Sequence, residues 1–148
     1  VTPDLQISVY HQTPDLSRDQ LLLSDIVGLG KPIVLNFWAA SCPPCRAEMP
    51  GFQRVYERRH EEVTVLGVDI GPQQSLGSRA QGQRLVEELG VRYLTGTTFD
   101  EDVVPNYQIV AMPMTLFIAT DGNILRSWSG LLSEEKLNAL IDDLVASQ

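Results

Sequence analysis

Histidine and cysteine are scarce in this chain, two of each in 148 residues, and the scarcity narrows the chemistry open to it. A four-coordinate zinc site would need both histidines beside both cysteines. His11 and His60 instead read as surface residues, His60 closing a helix after Arg58-Arg59, where cations suit the helix dipole. No metal site and no cofactor are therefore expected. Basic residues are in the minority, 11 against 19 acidic, and the formal net charge of −8 argues against nucleic acid or an anionic membrane surface as the main partner. Long apolar runs are missing too: no stretch of 18 exists, so no spanning helix is expected. The opening Val1-Thr2-Pro3-Asp4 has no signal-peptide character, and the chain reads as a mature or trimmed form, with any leader or membrane tether lying upstream. Internal repeats and low-complexity tracts are absent. With 43% hydrophobic residues, the chain suits a single domain over residues 1–148, an N-terminal extension of about residues 1–20 leading into the core.

What is present is concentrated in Asn36-Phe37-Trp38-Ala39-Ala40-Ser41-Cys42-Pro43-Pro44-Cys45-Arg46, which holds both cysteines three residues apart. Ile33 to Trp38 reads as a short buried strand, and Pro43 to His60 as a helix. The pair therefore falls where a strand hands over to a helix N-terminus. Unsatisfied N–H groups and the positive end of the dipole favour a thiolate there, and thiols so placed fall from a pKa of ~8.5 to roughly 3.5–7.5. Cys42 is the cysteine so favoured. Pro43 and Pro44 fit the first helical turn, whose N–H groups have no intrahelical partner. A structural staple gains most by closing a long loop, and this pair closes almost none, so a dithiol that opens and closes is the better reading.

The segment Trp38-Ala39-Ala40-Ser41-Cys42-Pro43-Pro44-Cys45-Arg46-Ala47-Glu48-Met49-Pro50 resembles the active site of thioredoxin-fold proteins, in particular the TlpA/ResA-like branch of extracytoplasmic thiol–disulfide oxidoreductases. Val65 to Asp69, Ala111 to Ile118 and Thr120 to Asn123 extend the resemblance in the expected order. It implies an α/β thioredoxin-like fold: a central mixed β-sheet flanked by helices on both faces, with an N-terminal strand or hairpin extension. It also implies a cis bond before Pro113 facing the dithiol, with the backbone of Met112 free to pair with an extended substrate segment. Met112 would then line the substrate surface, although a gap-filling core role suits methionine equally.

The expected reaction begins with the Cys42 thiolate attacking a disulfide in a partner protein, after which Cys45 resolves the mixed disulfide by attacking Cys42. Trp38 is expected to pack beside the dithiol. Family resemblance further implies a monomeric extracytoplasmic reductant of apocytochrome or other secreted-protein cysteines, serving cytochrome c biogenesis or a similar process. An upstream membrane thiol reductase would supply its electrons. One departure concerns proton transfer: classical thioredoxins carry a buried Asp where this chain has Asn36, which cannot act as a base. Glu48 and Asp69 are the acidic candidates for receiving the Cys45 proton, while a solvated helix face and a strand-end turn would explain them without chemistry. A bound water is a third route. Three other functions fit parts of the motif: a copper-handling module using Cys42, Cys45 and Met112, a non-catalytic binding module, and a peroxiredoxin-type peroxidase.

Elsewhere, Leu5 to Val9 and Leu21 to Leu23 suggest short N-terminal strands. Leu76, Leu85, Val86 and Leu89 predict a second helix ending at Gly90, despite Gly77 and Gly82. Residues 71–75 read as a flexible loop near the site or a surface connection, and Pro50 is expected to kink the active-site helix. Thr115 to Ala119 and Ile124 to Trp128 flank an Asp121-Gly122 turn, a hairpin signal. Ser133 should cap a last helix with the stripe Leu137, Leu140, Ile141, Leu144 and Val145.

Overall fold

A computed structural model describes residues 2–148, so the reading of the chain's start at Val1 lies outside the described residues. Ile33–Trp38 forms β3, buried at every position because both of its faces are covered. Its side chains alternate: Val34 and Trp38 point into one core cluster, Ile33, Leu35 and Phe37 into the other. Thr64–Asp69 (β4) lies parallel to it in register, and Leu94–Thr97 (β5) parallel to β4. On the other side Met114–Ile118 (β6) runs antiparallel to β3, and Ile124–Ser129 (β7) antiparallel to β6. The N-terminal Gln6–His11 (β1) crosses the chain to pair with β5, and Gln20–Leu22 (β2) pairs with β1. Among the described residues these seven strands make one mixed sheet in the order β2-β1-β5-β4-β3-β6-β7.

Helices cover both faces, as the thioredoxin-like reading requires. Pro43–Arg59 (α2) sets Met49, Phe52 and Val55 against one face, joined by Arg79–Glu88 (α4) through Leu85 and Val86 and by Glu134–Ala146 (α6) through Leu137, Leu140, Ile141 and Leu144. The opposite face is closed by Leu23–Val27 (α1) with Leu23 and Ile26, and by Val103–Asn106 (α5) with Val103. Ser133 caps α6 as expected, its hydroxyl accepting from the Lys136 N–H at 3.1 Å. α2 runs through Pro50 as one helix of 17 residues.

The region between β4 and β5 departs from the single helix expected there. Gly71–Gln74 is a one-turn helix (α3) rather than a loop, and α4 starts only at Arg79, leaving Leu76 and Gly77 outside it. The physical break is a left-handed Ser75 (φ +55°), which ends α3, followed by Gly77 at φ +117°, so no helix can run through both. The restart is a capping box: Ser78 Oγ accepts from the Gln81 N–H, and Gln81 Oε1 accepts from the Ser78 N–H. Gly90 ends α4 with φ +65°, as its position in the sequence suggested.

Candidate active site

Trp38 ends β3, and four residues later the chain reaches Cys42, the N-cap of α2. Cys42 and Cys45 are joined as a disulfide, with their Cα atoms 5.3 Å apart. Both cysteines are buried, Cys42 slightly less so: it is 5% exposed and Cys45 is fully buried. Pro43 and Pro44 fill the first helical positions, so the N–H groups left at this helix end begin at Cys45, and that of Arg46 is taken by the Cys42 carbonyl at 3.1 Å. The approach to Cys42 is also fastened, since the Ser41 N–H donates to the Leu76 carbonyl at 2.8 Å.

The peptide bond between Met112 and Pro113 is cis. Pairing of Phe37 with Met114 places Pro113 at the same end of the sheet as the dithiol, because β6 begins where β3 ends. The Gly130 N–H donates to the Pro113 carbonyl at 2.7 Å, which brings Leu131 alongside. Met112 is half-buried and packs against both core clusters. Around it Val110 and Leu131 stand exposed at 84% and 56%, with Pro43 exposed beside the disulfide in sequence. Trp38 is fully buried in the cluster that holds both cysteines, and Tyr10 meets its ring edge-on with centroids 6.4 Å apart.

Neither acidic candidate lies on a solvated surface. Glu48 follows Cys45 by one helical turn and is only 4% exposed. Its Oε2 accepts from Asn36 Nδ2 at 2.8 Å, and its Oε1 accepts from the Leu132 N–H at 3.0 Å. Asn36 also donates to Thr115 Oγ1 at 3.2 Å, so one carboxylate ties α2, the centre of the sheet and the loop before α6 together. Burial pushes the Glu48 carboxyl up to about 7, against the pull of these two hydrogen bonds. Asp69, at the end of β4, is fully buried, accepting from Tyr10 Oη and from the Gly71 N–H, both at 2.9 Å. Burial raises it to about 6, opposed by those donors and by the Arg79 charge. Sequence reasoning missed this burial because an i+3 helix position and a strand end read alike whether covered or open. The partners that decide it, Tyr10 for Asp69 and Leu132 for Glu48, are remote in sequence.

Comparison with known proteins decides the family. The model of the AhpC/TSA family matches residues 3–127. A thiol-disulfide oxidoreductase ResA from Oceanobacillus iheyensis is 32% identical over 147 residues, covering 99% of this chain and 72% of that protein. The chain belongs to the AhpC/TSA family, on its ResA-like branch. Among solved structures, MTB dsbF is similar with a TM-score of 0.75 and 26% identity, covering 94% of this chain and 93% of that one. The exposed lipoprotein thioredoxin Etrx1 of Streptococcus pneumoniae shares the fold at a TM-score of 0.79 and 20% identity, covering 96% of this chain and all of that one. The protein is thus a thiol–disulfide oxidoreductase with a thioredoxin-like fold, and its Cys42–Cys45 bridge fits a CxxC active site.

Proposed function

We propose that this oxidoreductase reduces disulfides in partner proteins, with Cys42 as the attacking thiol, Cys45 as the resolving thiol and Glu48 as the acceptor of the Cys45 proton. The observation that carries the assignment is the buried Glu48 carboxylate one turn beyond Cys45, poised near neutrality. A group that takes a proton from a thiol works best with its own pKa near the operating pH, and Glu48 meets that condition where Asn36 cannot. In the reduced protein the Cys42 thiolate attacks a partner disulfide, forming an intermolecular S–S bond and releasing one partner thiolate. Glu48 then takes the Cys45 proton, and the Cys45 thiolate attacks the Cys42 sulfur. That step forms the Cys42–Cys45 bridge and releases the second partner thiolate, so two electrons pass to the partner.

The greater burial of Cys45 supports the division of labour, because an incoming disulfide reaches Cys42 first. Half-buried Met112 and the exposed Val110, Leu131 and Pro43 form the surface on which an extended apolar segment of the partner would lie, with Pro113 and Trp38 buried behind them. No cofactor takes part in this scheme. The protein acts outside the cytoplasm as a monomer, on apocytochrome or other secreted-protein cysteines, and a membrane thiol reductase restores its dithiol. The name of the pneumococcal neighbour, an exposed lipoprotein, supports that location. The test is trapping: Cys45→Ser should accumulate mixed disulfides with extracytoplasmic proteins, and Cys42→Ser should accumulate none. Trapping through Cys45 in the Cys42→Ser protein would reverse the assignment.

A further inference from the structure

The second buried carboxylate has no place in that reaction. Asp69 sits directly across from Trp38 in the β3–β4 register, and its two oxygens hold separate elements: Oδ2 the Tyr10 hydroxyl of β1, Oδ1 the N–H of Gly71. From Gly71 the chain turns through Leu76, whose N–H returns to the Gly71 carbonyl. This segment is fastened to the active-site approach at both ends, the Ile70 N–H on the Trp38 carbonyl at 2.9 Å and the Leu76 carbonyl on the Ser41 N–H at 2.8 Å. Ser41 immediately precedes Cys42. The carboxylate is thus the anchor of a clamp whose far end fixes the residue before the reactive sulfur.

Two glycines make room for it. A Cβ at Gly82, in the middle of α4, would overlap Asp69 Oδ2, which explains a helix-weakening residue at that point. A Cβ at Gly77 would fall 3.2 Å from Ala40 Cβ and 3.3 Å from Ser41 Oγ, so the turn lies directly on the approach to Cys42. The charged and titratable groups acting on Asp69 are Tyr10 from β1 and Arg79 from α4. Burying a carboxylate is unfavourable, and this one is held by directed donors rather than by an ion pair, as expected of a group retained for placement.

We propose that Asp69 is a positioning residue for Cys42, acting through the 70–77 turn that it anchors against Ser41. The proposal rests on the reading of Cys42 as the attacking thiol. By holding Ser41, the clamp keeps the Cys42 sulfur at the N-terminus of α2, where the helix dipole favours the thiolate. Loosening the clamp therefore raises the Cys42 pKa, whereas removing a nearby negative charge alone would lower it.

The experiment uses the full chain with Cys45→Ser, so that Cys42 is the only thiol, and adds Asp69→Ala or Tyr10→Phe. The pH midpoint of Cys42 alkylation and the hydrogen exchange of the Ser41 amide are read together. The expected result is an upward midpoint shift in both variants, larger for Asp69→Ala, with Ser41 protection falling by about tenfold or more. A downward shift would show the carboxylate acting only as a charge, and an unmoved midpoint with Ser41 still protected would show a merely structural group; either overturns the proposal. Should Asp69→Ala not fold, Tyr10→Phe decides alone, because it removes one donor and keeps the ring against Trp38. An ordinary thiol midpoint in the Cys45→Ser parent would instead sink Cys42 as the activated thiol, and Ser41 exchange would still decide whether Asp69 holds the clamp.

Discussion

The two faces of the sheet are built from the same strands and differ sharply in chemistry. The face covered by α1 and α5 carries Leu5, Ile7, Phe37, Val68 and Ile118, together with Tyr107, whose hydroxyl donates to the Pro3 carbonyl. The face covered by α2, α4 and α6 contains Asn36, Glu48, Asp69, Thr95 and Thr115 among its buried residues. It also holds Asn36 Oδ1, Trp38 Nε1, Tyr93 Oη and Thr95 Oγ1, which have no hydrogen-bond partner among the described residues. Buried polar groups are unfavourable unless fully paired, so their collection under the cysteine-bearing helix marks that face as the one shaped for reactivity. The other face supplies the stability that tolerates it.

Substitutions on the two faces should separate these properties. The largest effect is expected from Glu48→Gln, which keeps the volume and removes the proton acceptor. Resolution of the mixed disulfide should slow by roughly 10²–10⁴-fold, measured by rapid-quench kinetics, with the attack by Cys42 little changed. An unaltered resolution rate would remove Glu48 from the mechanism. On the apolar face, Phe37→Ala deletes a fully buried ring that packs on Tyr107 at 5.2 Å, and should lower unfolding free energy by about 3–5 kcal/mol in urea titrations. The Cys42 midpoint of the folded fraction should stay where it was; a shift would mean that the two faces are not separable.

The pH dependence of stability comes next in size. Glu48 and Asp69 have folded pKa values raised to about 7 and about 6, so their contribution is fully present below the ordinary carboxylate range and lost as pH rises through those values. The melting temperature should therefore rise on acidification from pH 8 to pH 5, on the order of 5 °C, and the Glu48→Gln, Asp69→Asn double variant should flatten the profile. The smallest effect belongs to the surface: Arg54 pairs with Glu134 at 2.7 Å, half-exposed, and Arg54→Met should change stability by less than about 1 kcal/mol by thermal denaturation.

The sequence disclosed the elements whose signals are local. β3 is a continuous apolar run, the β6–β7 hairpin has its Asp121-Gly122 turn, and α6 has a cap and an unbroken stripe. Cys42 and Cys45 were legible for the same reason, as was the place of Pro113 through the family resemblance. The split into α3 and α4 was missed because nothing local marks Ser75 as left-handed, Gly77 reads as a helix-weakening residue rather than a break, and the Ser78–Gln81 capping box was overlooked. The burial of Glu48 and Asp69 depends on Leu132, 84 residues from Glu48, and Tyr10, 59 residues from Asp69, and no local pattern encodes such distances. Gly82 likewise has meaning only once Asp69 is seen beneath it.

The reduction potential of the Cys42–Cys45 couple tests the account most directly, by equilibrating the protein in defined thiol–disulfide buffers and following tryptophan fluorescence, with alkylation as a check. A reversible two-electron transition near or below about −220 mV is the expected result, since it identifies both the dithiol and its role as a reductant. A transition near about −120 mV would make the protein a disulfide-forming oxidant, and the absence of any reversible transition would contradict thiol–disulfide exchange at this site.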